Sequence, residues 1–262
     1  MLSISADKID SLFESIASSY NLYLPVDNES GKAEFEQWEK GKKLSSALKT
    51  VRSAKDFFFP KVENLVNYKR EGKSITVVDP RKDLGDFVIF GVRGCDAASF
   101  AIIDDVYLKM DPVDSYYKNR RDHGTVVTLA CTEPAQTCFC STYNIDATNP
   151  KGDVTSWCAD GKYFFQANTD KGNALIEKIK GLLSESDDKA VEAQKKEVSE
   201  KIEKLPFAHL DLSKFQGKDM LKIFNSKIWS RVSETCLGCG TCTYVCPRSE
   251  EHTSELQSPG SI

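Results

Sequence analysis

The sequence predicts an α/β fold: a mixed sheet with flanking helices, followed by a short helical segment that carries a run of cysteines. Three observations point there. Short apolar runs rich in β-branched residues alternate with segments of helical period, the pattern of a parallel or mixed sheet. Asp160-Gly161 separates two alternating runs, a hairpin signal. Cys236, Cys239, Cys242 and Cys246 then follow one another closely before Pro247.

The elements can be taken in order. Residues 6–19 place Ile9, Leu12, Phe13 and Ile16 on one helical face. Leu22 to Val26 is a strand candidate, and 32–38 alternates weakly. Phe57, Phe58, Phe59 and Pro60 lie in a 53–71 stretch that continues as a polar, helix-like run. Ile75 to Val78 and Phe87 to Val92 read as strands, 96–109 as a helix, and Gly124 to Ala130 as a buried strand. Val154 to Ala159 and Lys162 to Ala167 form the hairpin. Residues 172–185 and 187–204 read as helices, the second with a solvated Lys/Glu face, and Pro206 stops it. Met220, Leu221, Phe224, Ile228 and Trp229 form an apolar stripe on a last helix, expected to brace the cysteine segment.

The cysteine run has the spacing C-x2-C-x2-C-x3-C-P. That is the bacterial ferredoxin run, which holds a [4Fe–4S] cluster through thiolates. Gly238 and Gly240 relax the loop so that backbone N–H groups can face the sulfurs, and Pro247 turns the chain away. A zinc ribbon needs a different spacing. In two-cluster ferredoxins the fourth cysteine ligates the other cluster, yet no second run follows Cys246. The residues after Pro247 read instead as a sequencing-library adapter translated in frame. The expected organisation is therefore a 1–215 α/β domain, a 216–247 start of a ferredoxin-like dicluster domain, truncated, and a non-native 248–262 tail.

The totals exclude several classes. A net charge of −4 over 262 residues offers nothing to a nucleic acid. No apolar run is long enough to span a membrane, and the first twenty residues lack the features of a signal peptide. A cytoplasmic protein is expected, and nine cysteines there point to metal before disulfides.

Five cysteines lie outside the run. Cys95 follows one predicted strand and Cys131 follows another. If those strands are parallel neighbours, both thiols reach the carboxyl edge of one sheet, where ligands bind in open α/β folds. Cys138 and Cys140 sit in a loop held by Pro134 that can bring two more. Four converging thiols suit a second [4Fe–4S] site. They fit zinc equally by spacing, and lone cysteines are commonly small core residues. Arg93 and Gly94 are expected to line this strand-end site and stabilise its anionic charge. Cys158, beside Trp157 in the hairpin, reads as core, and a Cys138–Cys140 disulfide would be strained.

Arg93-Gly94-Cys95-Asp96, Asp111-Pro112, Tyr116-Tyr117, Cys131-Thr-Glu-Pro134, Thr137-Cys-Phe-Cys140 and the final cysteine run occur in this order. Together they resemble the β subunit of cytosolic [NiFe] hydrogenases (sulfhydrogenases) and the A subunit of anaerobic sulfite reductase. The Phe57-Phe-Phe-Pro60 segment fits too. The resemblance implies a dicluster electron-transfer subunit with [4Fe–4S] clusters. Such a subunit relays electrons between a flavin-containing, NAD(P)H-reactive subunit and a catalytic hydrogenase or sulfite reductase partner. It also implies cluster ligation by Cys95, Cys131, Cys138 and Cys140. Two other readings stand beside it: an enzyme with its own substrate site near Arg93, and a zinc-stabilised interaction module. Against the first, the sequence carries no G-x-G-x-x-G, P-loop or nucleophile elbow, and His123 and His209 lie in no catalytic pattern.

Overall fold

The structure is a computed structural model that describes residues 1–213 and 223–246. Its strands are β1 (Leu2–Ser5), β2 (Asn21–Asp27), β3 (Ala33–Gln37), β4 (Asn67–Glu71), β5 (Ser74–Val78), β6 (Phe87–Val92), β7 (Gly124–Leu129), β8 (Val154–Ala159), β9 (Lys162–Ala167) and β10 (Ser184–Glu185). Eight of them make one mixed sheet in the order β10-β1-β9-β8-β7-β6-β2-β3. The central pairs β2–β6, β6–β7 and β7–β8 are parallel, and the outer pairs are antiparallel. Every residue of β6 and β7 is buried. That burial explains why both read as continuous apolar runs, since a parallel sheet is covered on both faces.

On one face, α1 (Ile9–Ala17) and α4 (Asp170–Ile179) bury Leu12, Phe13, Ile16, Leu175 and Ile179 against Val88, Phe90, Val127 and Val154. On the other, α2 (Gly94–Tyr107) and α3 (Ser115–His123) bury Phe100, Ile103 and Tyr117 against Phe87, Ile89 and Val126. Strict alternation would put Val92 on the face of Val88 and Phe90. The register shifts between Phe90 and Val92, with Gly91 at φ +85°, and Val92 packs instead with Phe87 and Ile89. Asp104 ties α2 to α3: it accepts from Tyr117 Oη at 2.7 Å and from Arg121 Nε and Nη2 at 2.8 Å each. A third helix, α5 (Lys189–Glu203), lays Val191 against Trp157 and Phe164, and Val198 and Ile202 against Ala147.

The mixed sheet with flanking helices is as expected, and the hairpin ends match residue for residue. Asp160 (φ 48°) and Gly161 (φ 68°) both take the left-handed conformation that a tight two-residue turn requires. Other expectations need correction. The 53–71 stretch forms a 3₁₀ turn at Ala54–Phe57 and then strand β4, with no α-helix. Val62, Leu65 and Val66 stand at helical spacing but are exposed, so no core contact rewards a helix there. Ile75 to Val78 belongs to β5, which pairs only with β4 in a separate ribbon, and Ile75 and Val77 stay exposed. The helix expected over 172–185 ends at Ile179 and gives way to β10. Strands β1 and β10 and helix α3 were not foreseen.

After α5 come two short helices, α6 (Lys227–Ser233) and α7 (Thr241–Val245). Phe224, Ile228 and Trp229 of the expected brace are exposed, and none of them joins a core cluster of the described residues. Met220, Leu221, Pro247, the boundary at 215/216 and the 248–262 tail lie outside the described residues.

Two glycines separate packing from backbone freedom. A Cβ on Gly172, in the first turn of α4, would stand 2.0 Å from the carbonyl oxygen of Asp153, whereas one on Gly181 meets nothing within 4 Å. Gly172→Ala should lower stability by about 2 kcal/mol or more, and Gly181→Ala should lower it not at all. Urea denaturation of both variants checks this.

Candidate functional site

The parallel pairing of β6 with β7 sets the site. Arg93 is the N-cap of α2, which places Cys95 in that helix's first turn. Gly94 opens the helix in a tight space: a Cβ there would lie 3.1 Å from Pro150 Cβ and 3.3 Å from the carbonyl oxygen of Asp146, so those neighbours would have to give way slightly. Cys131 follows β7 one residue after Ala130, and its N–H donates to the Ala147 carbonyl at 2.9 Å. The loop beyond is closed by Cys138 N–H to Ala135 O (2.9 Å) and by Tyr143 and Ile145 N–H to Cys140 O (3.1 and 3.0 Å). Asn144 turns it at φ 54°. Ser141 Oγ and Thr142 Oγ1 donate to the carbonyls of Ala208 and Phe207 at 2.7 and 2.9 Å, which pins the loop to the segment after α5.

A cavity of about 570 Å³ opens at this carboxyl edge. Cys95, Cys138 and Cys140 line it with Arg93, Asp96 and Cys246. Cys131 lies behind, half-buried with Cys140 against Ala147, Val198 and Ile202. The four strand-end thiols sense one another. Burial pushes Cys95 up to about 12, helped by the charges of Asp96 and Cys140. Cys131 rises to about 11 through burial, with Arg93 pulling it down and Cys95 and Cys138 pushing it up. Cys140 rises to about 11 through burial, then Cys138 and Cys131. Cys95 is open to the cavity yet walled by protein, and the wall dominates its titration.

As free thiols Cys95, Cys131 and Cys140 stay protonated at neutral pH. A bound cation reverses that balance, because a coordinating thiol is deprotonated outright. The donor set therefore fits a thiophilic metal centre in its chemistry. Among the described residues, no three His, Cys, Asp or Glu side chains already stand in position to hold a metal ion.

Arg93 lines the cavity and its charge favours a Cys131 thiolate, and it also fastens the backbone around the site. Its Nη1 donates to the carbonyls of Leu129 (3.4 Å) and Ala130 (3.1 Å), and its Nη2 to that of Ala47 (3.3 Å). The guanidinium thus ties the end of β7 to the 47–50 loop while favouring a Cys131 thiolate. Cys158 stands apart, interacting with Tyr163 across the hairpin.

In the final run, Gly238 (φ 66°) and Gly240 (φ 68°) adopt the left-handed conformation. Gly238 N–H donates to Cys236 Sγ at 3.4 Å, the kind of amide–sulfur contact expected of this loop. Cys239 is lowered by its hydrogen bond with Thr241. Cys236, Cys239 and Cys242 are exposed, whereas Cys246 is half-buried.

Two groups, Asp96 in the cavity wall and Lys55 beside Cys246, were not assigned roles from the sequence. Asp96 was read only as part of a motif. Burial raises it to about 6 against hydrogen bonds from Ser53 and the Ala54 amide. Lys55 is almost fully buried and donates to the Cys246 carbonyl at 3.0 Å. No periodicity flagged it, because it sits in a 3₁₀ turn.

Asp96 yields a pH test on the metal-free protein. Its native value of about 6 lies above the unfolded value of about 4. The native state therefore holds a proton that the unfolded chain has lost, and stability falls as pH rises between the two. Asp96→Asn should flatten that fall by on the order of 1–2 kcal/mol, discounted for partial exposure. Denaturation of both proteins across this interval measures it.

Similarity to known proteins enters here. The chain is 31% identical over 211 residues to sulfhydrogenase 2 subunit beta of Pyrococcus furiosus, a match that takes in 76% of this chain and 57% of the relative. The chain thus spans little more than half the length of that relative. The similarity supports the resemblance to the hydrogenase β-subunit family. No protein-family profile and no solved structure matches the chain.

Proposed function

We propose that the protein is an iron–sulfur electron-transfer subunit of an oxidoreductase complex. What supports this reading is that Cys95, Cys138 and Cys140 line one cavity at the sheet edge with Cys131 packed behind it, in a chain similar to a sulfhydrogenase beta subunit. A ferredoxin-type run lies alongside. In this reading the strand-end thiols hold one [4Fe–4S] cluster. Cys236, Cys239 and Cys242 hold three corners of another, and Cys246 serves a neighbouring one. Bound clusters supply one-electron storage. The protein's own part is to hold thiolates, exclude water and place charge: Arg93 next to Cys131, and Gly238 N–H on Cys236.

The partners follow from the similarity to a sulfhydrogenase subunit. They are catalytic hydrogenase or sulfite reductase subunits on one side and a flavoprotein that reacts with NAD(P)H on the other. The complex belongs in the cytoplasm on this reading, and no helix among the described residues is long and apolar enough to cross a membrane. An enzyme built around Arg93 is the weaker alternative, because carbonyl oxygens already occupy both of its terminal nitrogens. Zinc remains the rival metal, since a thiol-only donor set accepts it.

Anaerobic reconstitution with iron and sulfide decides between iron and zinc. The protein should turn brown and bind iron and acid-labile sulfide. Cys140→Ala should lose the strand-end share, and Cys239→Ala the share of the final run. A colourless protein that takes up only zinc overturns the reading. A second check adds the flavin subunit: cluster reduction by NAD(P)H should depend on it. Equal reduction of the isolated chain marks an enzyme instead.

A further inference from the structure

Cys246 behaves unlike the three cysteines before it. They are exposed; it is half-buried and lines the strand-end cavity together with Cys95, Cys138 and Cys140. Val245 lines the same wall. The end of the run is thus folded back onto the α/β domain, about 190 residues earlier in the chain.

What holds it there is the 52–61 segment. One side of this segment is aromatic and anchored: Phe58 is buried among Phe87 and Phe100, and Phe57 packs on Tyr23 and Phe35. Its other side is cationic and meets the run. Lys55 Nζ donates to the Cys246 carbonyl at 3.0 Å. Lys61 Nζ is buried, makes no hydrogen bond, and lies over the Tyr244 ring. Arg52 reaches the same ring at 5.9 Å. A buried ammonium is costly unless a partner compensates it. The Cys246 carbonyl is such a partner, so the seating is built in on both sides.

We propose that Cys246 is the thiolate through which the final cysteine run faces the strand-end site, and that Lys55 is the positioning residue that seats it. The proposal rests on the iron–sulfur reading for its meaning. In a relay, the cluster that Cys246 serves is then the one next to the strand-end cluster, and the cluster of Cys236, Cys239 and Cys242 lies further out. One electron passes between neighbours with no bond made or broken. The Lys55 charge stabilises the reduced, more negative state of the nearer cluster.

The seating can be tested without any metal. In a Cys236→Ala/Cys239→Ala/Cys242→Ala chain, Cys246 is the sole thiol of the run. A short bis-maleimide should bridge it to Cys138, which lines the same cavity, read by peptide mass spectrometry. Lys55→Met should lose the bridge and Lys55→Arg should keep it. Tyr244→Ala removes the ring held by Lys61 and Arg52 without touching the core, and should weaken the bridge with no folding defect. A Cys246 that stays singly modified in the folded parent overturns the proposal. So does a bridge that survives Lys55→Met. In the iron-loaded protein with its complete ligand set, Lys55→Met should also shift the nearer cluster to a more negative potential, and Lys55→Arg should not. A protein that bridges but binds no iron refutes the relay and leaves the seating intact.

Discussion

The parallel contact between β6 and β7 is the constraint on which the rest depends. Two strands that run the same way must end at the same edge. The residues that leave them, Arg93 to Asp96 and Ala130 to Cys131, therefore emerge side by side. Nothing else in the chain needs to know where the other half of the site lies. The core residues that enforce the pairing (Val88, Phe90 and Val127 on one face, Phe87, Ile89 and Val126 on the other) are thus also the residues that assemble the thiols. Arg93 fixes the result by clipping the end of β7 to the 47–50 loop.

The site is layered in its electrostatics. Its inner part, with Cys131 and Cys140 half-buried and Cys95 open only to the cavity, is walled by protein so that burial dominates titration. Its outer part, with Cys236, Cys239 and Cys242, is wet. Between them sits the 52–61 segment, anchored by aromatic rings and presenting cations outward. The Phe57-Phe-Phe-Pro60 string therefore does more than fill space. It fixes the height at which Lys55 and Lys61 meet the last turn of the chain.

Much of this was legible in the sequence, for physical reasons. Strands β6 and β7 are buried on both faces and so advertise themselves as unbroken apolar runs. The β8–β9 hairpin is marked by Asp160-Gly161 because few residues tolerate its turn. The strand-end position of Cys95 and Cys131 followed once those strands were read as parallel. What escaped is what local pattern cannot encode. Helix α3 is polar (Ser115–His123) and stands on one buried tyrosine, an Asp114 cap and the Asp104 pair. Strands β1 and β10 are too short to show a period. Strand β5 has the β-branched composition of a core strand without the burial, because its partner β4 is polar and exposed. Lys55 is a charged residue buried in a 3₁₀ turn, and the Cys246 carbonyl it meets lies about 190 residues further along the chain.

The contrast in thiol acidity has a further consequence for how the protein ages in air. Oxidants attack the thiolate, and a thiol kept protonated is a poor target. Cys95, Cys131 and Cys140 are held protonated by their surroundings, so these three thiols are chemically quiet when free. Cys239 is exposed and its hydrogen bond with Thr241 draws it toward the thiolate. Damage therefore begins at the solvent end of the cysteine series and reaches the sheet edge last, and the part of the protein hardest to rebuild is the part that corrodes most slowly.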